Sequence, residues 1–448
     1  MFSGESFHTA SLGRLREGQA IARILAASIN AVEPGAAVAR CFHRSGDILT
    51  AGGREYRLAD FRSVQLLGIG KAAMPMSLQI ARTLGERLDS GLIISKHDGA
   101  APGTRLTCLT GGHPVPDGSS LEAGKKALDT LAGLTPNDLL ICPISGGGSA
   151  LVATPVDGVT LQDIQALTAA LLACGASIDE INLVRRRLER LKGGGLARLS
   201  NGATILSLLL SDVIGNRLEA IASGLTAPDP AGRAQAMAVL DRYGLHSQVP
   251  ASIRATLEHG PETPKPGDPI FARVHNLIVG SNLLAAQAAL TQARAEGFNP
   301  YLLRVDLQGE AVQAAFELAT CLRQARLTGE PAPRPACIVA GGETTVVLHG
   351  NGKGGRNTEL ALAAVTELAD FPGVALVTLA TDGEDGPTDA AGAVVTGESF
   401  RRAAELKLQP DDHLSRNDSY TFFAALDDLL KPGPTGTNVN DLVFLFSL

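Results

Sequence analysis

Tryptophan is absent from these 448 residues, and aromatic residues make up only 4% of the chain. This composition disfavours a protein that binds single-stranded nucleic acid by stacking bases on aromatic rings. Positive charge is also scarce, because 39 Lys and Arg residues stand against 46 Asp and Glu residues and leave a net charge of −7. General binding to nucleic acid or to anionic membranes is therefore not expected, since excess positive charge supplies the affinity for both.

Disulfide, zinc and targeting patterns are missing as well. The six cysteines are scattered singly, with no CxxC pair, so reduced thiols are expected. The N-terminal residues lack the apolar core of a signal peptide, and the longest apolar run, Ile205–Leu210, is too short to span a bilayer. We therefore expect a soluble, cytoplasmic protein without a membrane or nucleic-acid partner.

Glycine, in contrast, is abundant, with 50 residues or about 11% of the chain against a usual ~7%. Hydrophobic residues make up 45% of the chain, which excludes global disorder. The length suggests two or three domains. Much of the glycine falls where apolar runs end, and glycine there lets a ligand approach the backbone closely.

The first half of the chain alternates short apolar runs with helical stretches. Spaced Leu, Ile and Ala over residues 12–31 predict an amphipathic helix. Near-continuous apolar strands that alternate with helices indicate a parallel sheet covered on both faces. The predicted strands are Val64–Ile69, Gly91–Ser95, Leu139–Ile144 and Ile205–Leu210.

A second strand-and-helix series follows the proline-rich and charged stretch Glu258–Asp268, which we interpret as a linker. Ile338–Ala340 and Thr344–His349 flank Gly-Gly-Glu and are typical of a hairpin, so this sheet is predicted to be mixed. The predicted strands of this series are Leu277–Val279, Tyr301–Val305, Cys337–Ala340, Thr345–Leu348 and Val374–Leu379.

The sequence therefore predicts two α/β domains, over residues 1–257 and 269–448. We expect the functional site in a cleft between the two domains.

A lysine stands in the first glycine cluster, Gly68-Ile69-Gly70-Lys71. The Walker A pattern is absent, and Ala73 takes the place of the third glycine of a dinucleotide fingerprint. Lys71 nevertheless stands where a helix is predicted to begin. Its ammonium and the positive N-terminal end of the helix dipole would both favour an anion at the same position. An ordinary strand-to-helix turn with a solvated lysine is the alternative interpretation.

The second cluster directly follows the predicted strand Leu139–Ile144. Ser145, Gly146, Gly147, Gly148 and Ser149 would form an anion-binding nest, with Ser149 as the helix N-cap. A flexible turn is the alternative. Upstream, His113 in a Gly-Gly-His-Pro loop is a candidate acid, base or ligand, or a structural histidine.

Two further segments carry charged candidates. Arg186 and Arg190 would share one helix face, and Lys192 precedes three glycines that are also typical of a helix C-cap. Asp212, after the strand Ile205–Leu210, can hold Mg²⁺ or accept a hydroxyl proton, and its alternative role is helix capping.

The densest cluster runs from Gly350 to Arg356, before a helix predicted over Glu359–Leu368. Its Lys353 and Arg356 suit phosphate or carboxylate recognition, and Glu343 stands upstream.

Two further candidate site residues lie in an acidic loop and in a polar loop. Asp385 belongs to an acidic glycine-rich loop that suggests divalent-metal handling, although EF-hand spacing is absent. Asn438, in a Gly/Pro loop before the last strand, either lines the same cleft or forms a turn.

Glycine nests, cations at helix starts and loop acids are the parts of a phosphoryl-transfer site. Neither a Walker nor a protein-kinase signature is present, and the nucleophile elbow GxSxG and the zinc motif HExxH are also absent. From these residues alone we expect a nucleotide-using enzyme of an uncommon type.

The sequence also resembles the class II glycerate kinases, the glycerate 2-kinases, along nearly its whole length. The matching segments, in chain order, are GIGKAAMPM, GGHPVPDGSS, SGGGSAL, RLKGGGLA, SDVIGN, GGETTVVLHGNGKGGRNTELAL, TDGEDGPTDAAGAV and GPTGTNVNDL. The resemblance implies ATP- and Mg²⁺-dependent phosphorylation of D-glycerate to 2-phosphoglycerate. It also implies a Rossmann-like N-terminal domain and a smaller mixed α/β domain.

Carried onto this chain, the resemblance places Lys71 and Arg356 at the centre of the site. The loop candidates around them are Gly70, Ser145–Ser149, Lys192, Asp212, Glu343, Lys353, Asp385 and Asn438. Three positions depart from the family pattern, which commonly has Asp, Pro and Thr at the places of Asn216, Leu225 and Pro432. Asn216 weakens any role of its position as a charged metal ligand.

These assignments lead to a mechanistic hypothesis. Arg356 or Lys71 would hold the glycerate carboxylate, and the nest with Lys353 would hold the ATP phosphates. Mg²⁺ would bind through Asp212 or Asp385, and one of these two carboxylates would orient the C2 hydroxyl.

Two other functions stay open. The family also attracts the label hydroxypyruvate reductase, but no GxGxxG fingerprint for NAD(P)H is present. A non-catalytic binder of phosphorylated metabolites would use the same nests. A homo-oligomer is left open by the sequence.

Overall fold

The computed structural model describes residues 1–97, 99 and 105–448. Its contacts divide the chain into two compact units, one of residues 34–279 and one that joins residues 1–33 to residues 280–448. This division differs from the expected domains 1–257 and 269–448 in two ways. The N-terminal helices belong to the C-terminal unit, and the expected linker Glu258–Asp268 lies inside the first unit.

The N-terminal segment is held in its unit by specific polar contacts. Arg23 and Glu296 form an ion pair of 2.6 Å where the helices Gly18–Ala31 and Asn282–Ala295 pack together. Ser11 donates a hydrogen bond of 2.8 Å to the buried carboxylate of Asp428. These partners are more than 270 residues apart in the chain, and local sequence patterns carry no signal for such contacts.

Unit 34–279 contains a six-stranded sheet, and the expectation of a parallel sheet is confirmed for the five strands up to Leu210, whose neighbours all pair in parallel. Strand Val274–Gly280 adds to the edge of this sheet, although its core was predicted in the second series. The spatial order is Leu106–Thr110, Ser90–Ser95, Ser63–Ile69, Asp138–Ser145, Thr204–Leu210 and Val274–Gly280. A separate antiparallel meander consists of Phe42–Ser45, Ile48–Ala51 and Arg54–Arg57.

The helix Gly118–Ala132 of this unit begins at a side-chain cap. Asp117 accepts hydrogen bonds from the backbone of Ser119 and Ser120 and so starts the helix Gly118–Ala132. The other α-helices are Pro34–Cys41, Ala73–Leu84, Gly148–Leu151, Leu161–Ala173, Ile178–Arg185, Gly195–Leu199, Arg233–Arg242 and Ala251–His259. Short 3₁₀ turns lie at Leu58–Asp60, Gly85–Arg87, Ile214–Asn216, Ile221–Ser223 and Pro269–Arg273.

The second unit contains a mixed six-stranded sheet, as expected, but the predicted hairpin is wrong. Ala336–Gly342 pairs in parallel with Asn299–Leu307 and antiparallel with the last strand Asp441–Ser447. Thr345–Leu348 forms no strand and contributes only an isolated bridge at Thr345. The spatial order is Asn299–Leu307, Ala336–Gly342, Asp441–Ser447, Val374–Ala380, Gly392–Thr396 and Leu429–Leu430.

Helices and an aliphatic core complete the second unit. Its core is built from Ala, Leu and Val of the sheet and of the covering helices, with few rings, as the low aromatic content requires. The helices are Gly4–Phe7 (3₁₀), Ala10–Arg14, Gly18–Ala31, Asn282–Ala295, Ala311–Thr328, Arg356–Glu367, Ser399–Glu405, Pro410–Ser415 and Ser419–Leu426.

Within the described ranges, no single helix is long and apolar enough to cross a bilayer. The consecutive helices Gly18–Ala31 and Pro34–Cys41 meet the length and composition requirements only together, as a bent pair.

Candidate active site

Two glycine-rich loops meet at the carboxyl ends of neighbouring parallel strands in unit 34–279. Strands Ser63–Ile69 and Asp138–Ser145 run side by side and end together. The hydroxyl oxygen of Ser145 accepts a hydrogen bond of 2.9 Å from the backbone of Ala72, and the backbone N–H of Lys71 donates one of 3.0 Å to the carbonyl of Gly146. Two motifs that are 75 residues apart in the sequence therefore form one structure.

Gly147 lies in the turn between the strand Asp138–Ser145 and the short helix that follows it. It has a φ of 83° and is the N-cap of the short helix Gly148–Leu151, so the expectation that Ser149 is the N-cap is wrong. A side chain at Gly147 would lie 3.0 Å from Lys71 Cγ and 3.2 Å from His113 Cδ2. Lys71 and His113 therefore both lie beside Gly147.

The surroundings of His113 are electropositive. Burial, followed by the charges of Lys71 and Lys96, lowers the pKa of His113 to about 4. The imidazole is therefore neutral at physiological pH, and the positive charge beside the nest comes from the two lysines. A positive, glycine-rich strand end of this kind suits an anionic ligand.

Asp212 lies against the nest, two residues after the strand Thr204–Leu210. A side chain at Gly146 would come within 1.9 Å of Asp212 Oδ2, so any residue larger than glycine would require this carboxylate to move. The structure therefore brings together six predicted residues: Gly70, Lys71, Ser145, Gly146, Gly147 and Asp212.

A hydrogen-bonded chain behind the nest was not predicted. Ser223 donates a hydrogen bond of 3.1 Å to the Asn182 side chain, so Ser149 is the donor in the 2.9 Å contact between Ser149 and Ser223. Ala222 and Ser223 have φ values of 48° and 58°, a conformation that is strained for residues other than glycine. The motif Ile-Ala-Ser-Gly at 221–224 was the available signal.

Lys192 is not exposed for direct ligand binding. It is buried and pairs with the equally buried Glu189 at 2.6 Å, and burial lowers its pKa to about 8. The expected helix face is also absent, because the helix ends at Arg185. Arg186 is buried 3.5 Å from Asp229, whereas Arg190 is exposed beyond the helix.

Arg356 is the centre of a second group of residues, in the other unit. It is the first residue of the helix Arg356–Glu367 and is clamped by two carboxylates. Its Nε donates to Asp441 Oδ2 at 2.5 Å, and its Nη1 donates to Glu343 Oε1 at 2.5 Å. Glu343 follows one strand and Asp441 begins the antiparallel neighbour, with Gly342 opposite Asp441 in the register.

Burial and pairing determine the charges of Arg356 and Asp441. Burial would lower the pKa of Arg356, but the negative charges of Asp441 and Glu343 outweigh it and raise that pKa above its usual value. Burial raises the pKa of Asp441 to about 6 although Arg356 opposes the shift. At neutral pH both groups are charged, and the guanidinium is held in one orientation. Asp441 was not predicted, although an Asp directly before a terminal apolar run was a visible signal.

Asp385 has a structural role that the sequence did not reveal. Its two carboxylate oxygens accept hydrogen bonds from the backbone of Asn357 (3.0 Å) and from the backbone (2.7 Å) and hydroxyl (2.8 Å) of Thr358, and it is 1% exposed. The carboxylate therefore stabilises the start of the helix at Arg356. The role of Asp385 as a metal ligand stays a prediction, although both of its carboxylate oxygens accept hydrogen bonds here.

Asp382, in the same loop, is the acid with an unusual environment. It is partly buried, and burial raises its pKa while the charge of Arg356 opposes the shift. In the described part of the chain, no three His, Cys, Asp or Glu residues form a group that could hold a metal ion.

The remaining predicted residues lie in ordered surface loops. The ammonium of Lys353 lies 3.9 Å from the ring centre of Tyr420, whose hydroxyl contacts Lys431 and Asp389. Asn438 accepts a hydrogen bond of 3.0 Å from the backbone of Asn440, which is a turn contact. The binding roles of Lys353 and Asn438 stay predictions.

Comparisons with known proteins identify the family of this chain. A domain of unknown function (DUF4147) matches residues 20–258, and the MOFRL family matches residues 336–441. The glycerate 2-kinase of Pyrococcus horikoshii is 36% identical over 427 residues, covering 94% of this chain and 95% of that protein. The crystal structure of the glycerate kinase of Thermotoga maritima has a TM-score of 0.85 and 36% identity, covering 95% of this chain and 98% of that chain. The chain belongs to the class II glycerate kinase family.

Another relative in this glycerate kinase family carries a different name. A putative hydroxypyruvate reductase of Agrobacterium vitis is 40% identical over 379 residues, covering 84% of this chain and 85% of that protein. The two family matches contain the two residue groups: Lys71 and Asp212 lie in the DUF4147 match, and Arg356 and Asp441 lie in the MOFRL match.

Proposed function

We propose that this chain is an ATP-dependent glycerate kinase that transfers the γ-phosphoryl group to the 2-hydroxyl of D-glycerate. The observation that carries the proposal is the nest of Gly146–Gly148, with Lys71 beside it and Asp212 against Gly146. Family membership supports it, because the relatives named glycerate 2-kinase and glycerate kinase match nearly the whole chain. The six cysteines form no disulfide, which agrees with a reducing cytoplasmic compartment.

The nest would bind the nucleotide phosphates. Glycine amides at the carboxyl end of a parallel sheet approach phosphate oxygens closely, and Lys71 adds a point charge that neutralises the transferring group. The sequence also suggests that Lys353, on the glycine-rich loop before Arg356, binds the ATP phosphates, and that role stays a prediction.

Gly146 gives a direct test of the nest. Gly146→Ala would drive a methyl group into the Asp212 carboxylate, which lies 1.9 Å from the position of the new carbon. We expect kcat/KM to fall at least about 100-fold, since misplacement of a reacting group by about 1 Å costs that much. Gly118→Ala is the matched control, because that position has open space around it and an added methyl group would meet no neighbouring atom. Steady-state kinetics of both variants would make the comparison, and equal activity of Gly146→Ala and wild type would contradict the assignment.

Asp212 fits the position of a magnesium ligand. Mg²⁺ in nucleotide sites takes one or two carboxylates together with phosphate oxygens, so the lack of a preformed acidic cluster in the described residues is no obstacle. When bound, Mg²⁺ would neutralise phosphate charge.

Asp385 should behave as a helix cap and not as a metal ligand. We expect Asp385→Ala to lower the free energy of unfolding by about 2 kcal/mol, because buried N–H donors of the helix lose their acceptor. The Mg²⁺ concentration for half-maximal activity should stay the same. Asp389→Ala, in the exposed part of the same loop, is the control. Urea unfolding and a Mg²⁺ titration would measure the two effects, and a tenfold weaker Mg²⁺ response at wild-type stability would restore the metal role.

Arg356 would bind the glycerate carboxylate. A guanidinium carries five N–H donors, and Asp441 and Glu343 engage three of them here. The remaining two, on a side chain that is 31% exposed, suit a carboxylate.

One experiment tests the function. Incubation with D-glycerate, MgATP and no nicotinamide should yield ADP, and phosphorus NMR of the product should show the phosphate on C2. A phosphate on C3 would contradict the position of transfer. NADPH oxidation with hydroxypyruvate, without ATP turnover, would favour the reductase that the Agrobacterium vitis relative is named for. Nucleotide binding without turnover would favour the non-catalytic binder.

A further inference from the structure

Three buried charged side chains lie directly behind the nest. Arg185 is 8% exposed, Lys192 is 2% exposed and Glu189 is fully buried. One oxygen of Glu189 contacts both cations, with Lys192 Nζ at 2.6 Å and Arg185 Nη2 at 3.1 Å. The charges of Lys192 and Arg185 overcome the effect of burial and lower the pKa of Glu189, so the carboxylate is ionised.

Each of the three side chains also contacts the backbone at the last residue of the nest or just after it. Arg185 donates to the carbonyl of Ser149 at 3.0 Å, and Lys192 donates to the carbonyl of Val152 at 3.2 Å. The second oxygen of Glu189 accepts from the backbone N–H of Thr154 at 3.1 Å. The segment from Ser149 to Thr154 is therefore tied at three points to one ionic cluster.

The cluster has one more positive than negative charge. Burying an unbalanced charge is costly unless a counter-charge is nearby. The Nε of Arg185 is buried and has no hydrogen-bond partner among the described residues. Because the Arg185 guanidinium is 3.0 Å from the backbone of Ser149, this excess charge acts on the nest through a medium that screens it poorly.

We propose that Arg185, Glu189 and Lys192 are positioning residues that fix the Ser149–Thr154 segment and strengthen nucleotide-phosphate binding by the nest through their excess positive charge. This inference rests on the proposed function. It also gives Lys192 a role through the backbone in place of the direct contact that the sequence suggested.

The test compares variants that each leave a neutral buried pair. Arg185→Met leaves Lys192 with Glu189, and Lys192→Met leaves Arg185 with Glu189, so each variant removes one charge and one carbonyl contact without exposing an unpaired acid. We expect the Kd for ADP and the KM for ATP to rise about tenfold in each, while the KM for glycerate stays within about twofold. Amide hydrogen exchange should increase over residues 149–154. If one variant fails to fold, the other carries the same test.

Arg187→Met is the matched control. Arg187 is equally buried and pairs with Asp229 at 3.0 Å, but it binds the carbonyls of Leu183 and Ala231 instead of the 149–154 segment. Its loss should lower stability and leave the Kd for ADP unchanged. The proposal is overturned if the two cluster variants bind ADP as wild type does, or if Arg187→Met weakens ADP binding as much as they do. A wild type that binds ADP without phosphorylating glycerate would contradict the proposed function alone, whereas one that binds no ADP would contradict both.

Discussion

Replacing Lys71 with alanine should lower kcat/KM for glycerate phosphorylation by about 10²–10³-fold, the loss typical of removing one donor to a developing charge. The side chain is exposed and its carbon chain passes beside Gly147, so its charge reaches any anion bound at the nest. Most of the loss should fall in kcat, because the transferring phosphoryl group gains charge on its oxygens in the transition state.

A stability measurement separates the expected loss of activity in Lys71→Ala from misfolding. An exposed lysine contributes little to folding, so the urea midpoint of Lys71→Ala should match that of wild type. Lys125→Ala, at an exposed lysine on the helix Gly118–Ala132, is the matched control and should retain full activity. Lys71→Arg keeps the charge and should recover part of the loss. A decrease of less than threefold in Lys71→Ala would reject the assignment of this residue.

Two central strands of the parallel sheet were predictable because they are buried on both faces, whereas the strands Leu106–Thr110 and Gly392–Thr396 were not predicted. Leu139–Ile144 and Ile205–Leu210 are near-continuous apolar runs, and the observed strands extend them by only one or two residues. Strand partners were not predictable to the same extent. Ala336–Gly342 was assigned to a hairpin with the next polar-bounded run, whereas its antiparallel partner is Asp441–Ser447, about 100 residues further on. Hydrophobic periodicity and local composition are properties of neighbouring residues, so they do not indicate which distant strand will be the partner.

In the candidate site, too, local sequence patterns were predictable and contacts between distant residues were not. Glycine beside a cation predicted Lys71, the nest and Arg356 as site residues, because this pattern lies in residues that are adjacent in the sequence. The roles of Asp385 and Lys192 depend on what their charged atoms contact. Asp385 contacts backbone N–H groups 28 residues away, and Lys192 contacts a carboxylate three residues away on a buried turn. An acid in a loop or a lysine before glycines has the same appearance in sequence whether it binds a ligand or stabilises a loop.

The clamp on Arg356 combines a residue that the sequence predicted with a contact that only the structure reveals. Glu343 was a predicted residue and Asp441 was not, yet both hold the guanidinium at 2.5 Å. A cation between two fixed carboxylates has lost its side-chain freedom before any ligand arrives, which reduces the entropy cost of binding. The N-cap contacts of Asp385 fix the helix from which Arg356 projects, so the loop acid supports the arginine that we propose binds the substrate.

Replacing Arg356 with alanine should lower kcat/KM for glycerate by about 10³-fold, because a bidentate contact to the substrate carboxylate is lost. The KM for glycerate should rise much more than the KM for ATP. This variant also leaves Asp441 buried without its cation, so we expect a loss of about 3 kcal/mol in the free energy of unfolding.

Arg356→Lys separates binding from stability. Lysine keeps a positive charge near Asp441 but presents a point charge in place of a planar fork, so most of the stability should return while the KM for glycerate stays raised at least about tenfold. Arg304→Ala, at an exposed arginine paired with Asp306 in the same unit, is the control and should change neither quantity. Urea unfolding and separate titrations of glycerate and ATP would measure these effects. If Arg356→Lys binds glycerate as wild type does, or if the KM for ATP rises instead, Arg356 does not bind the substrate carboxylate.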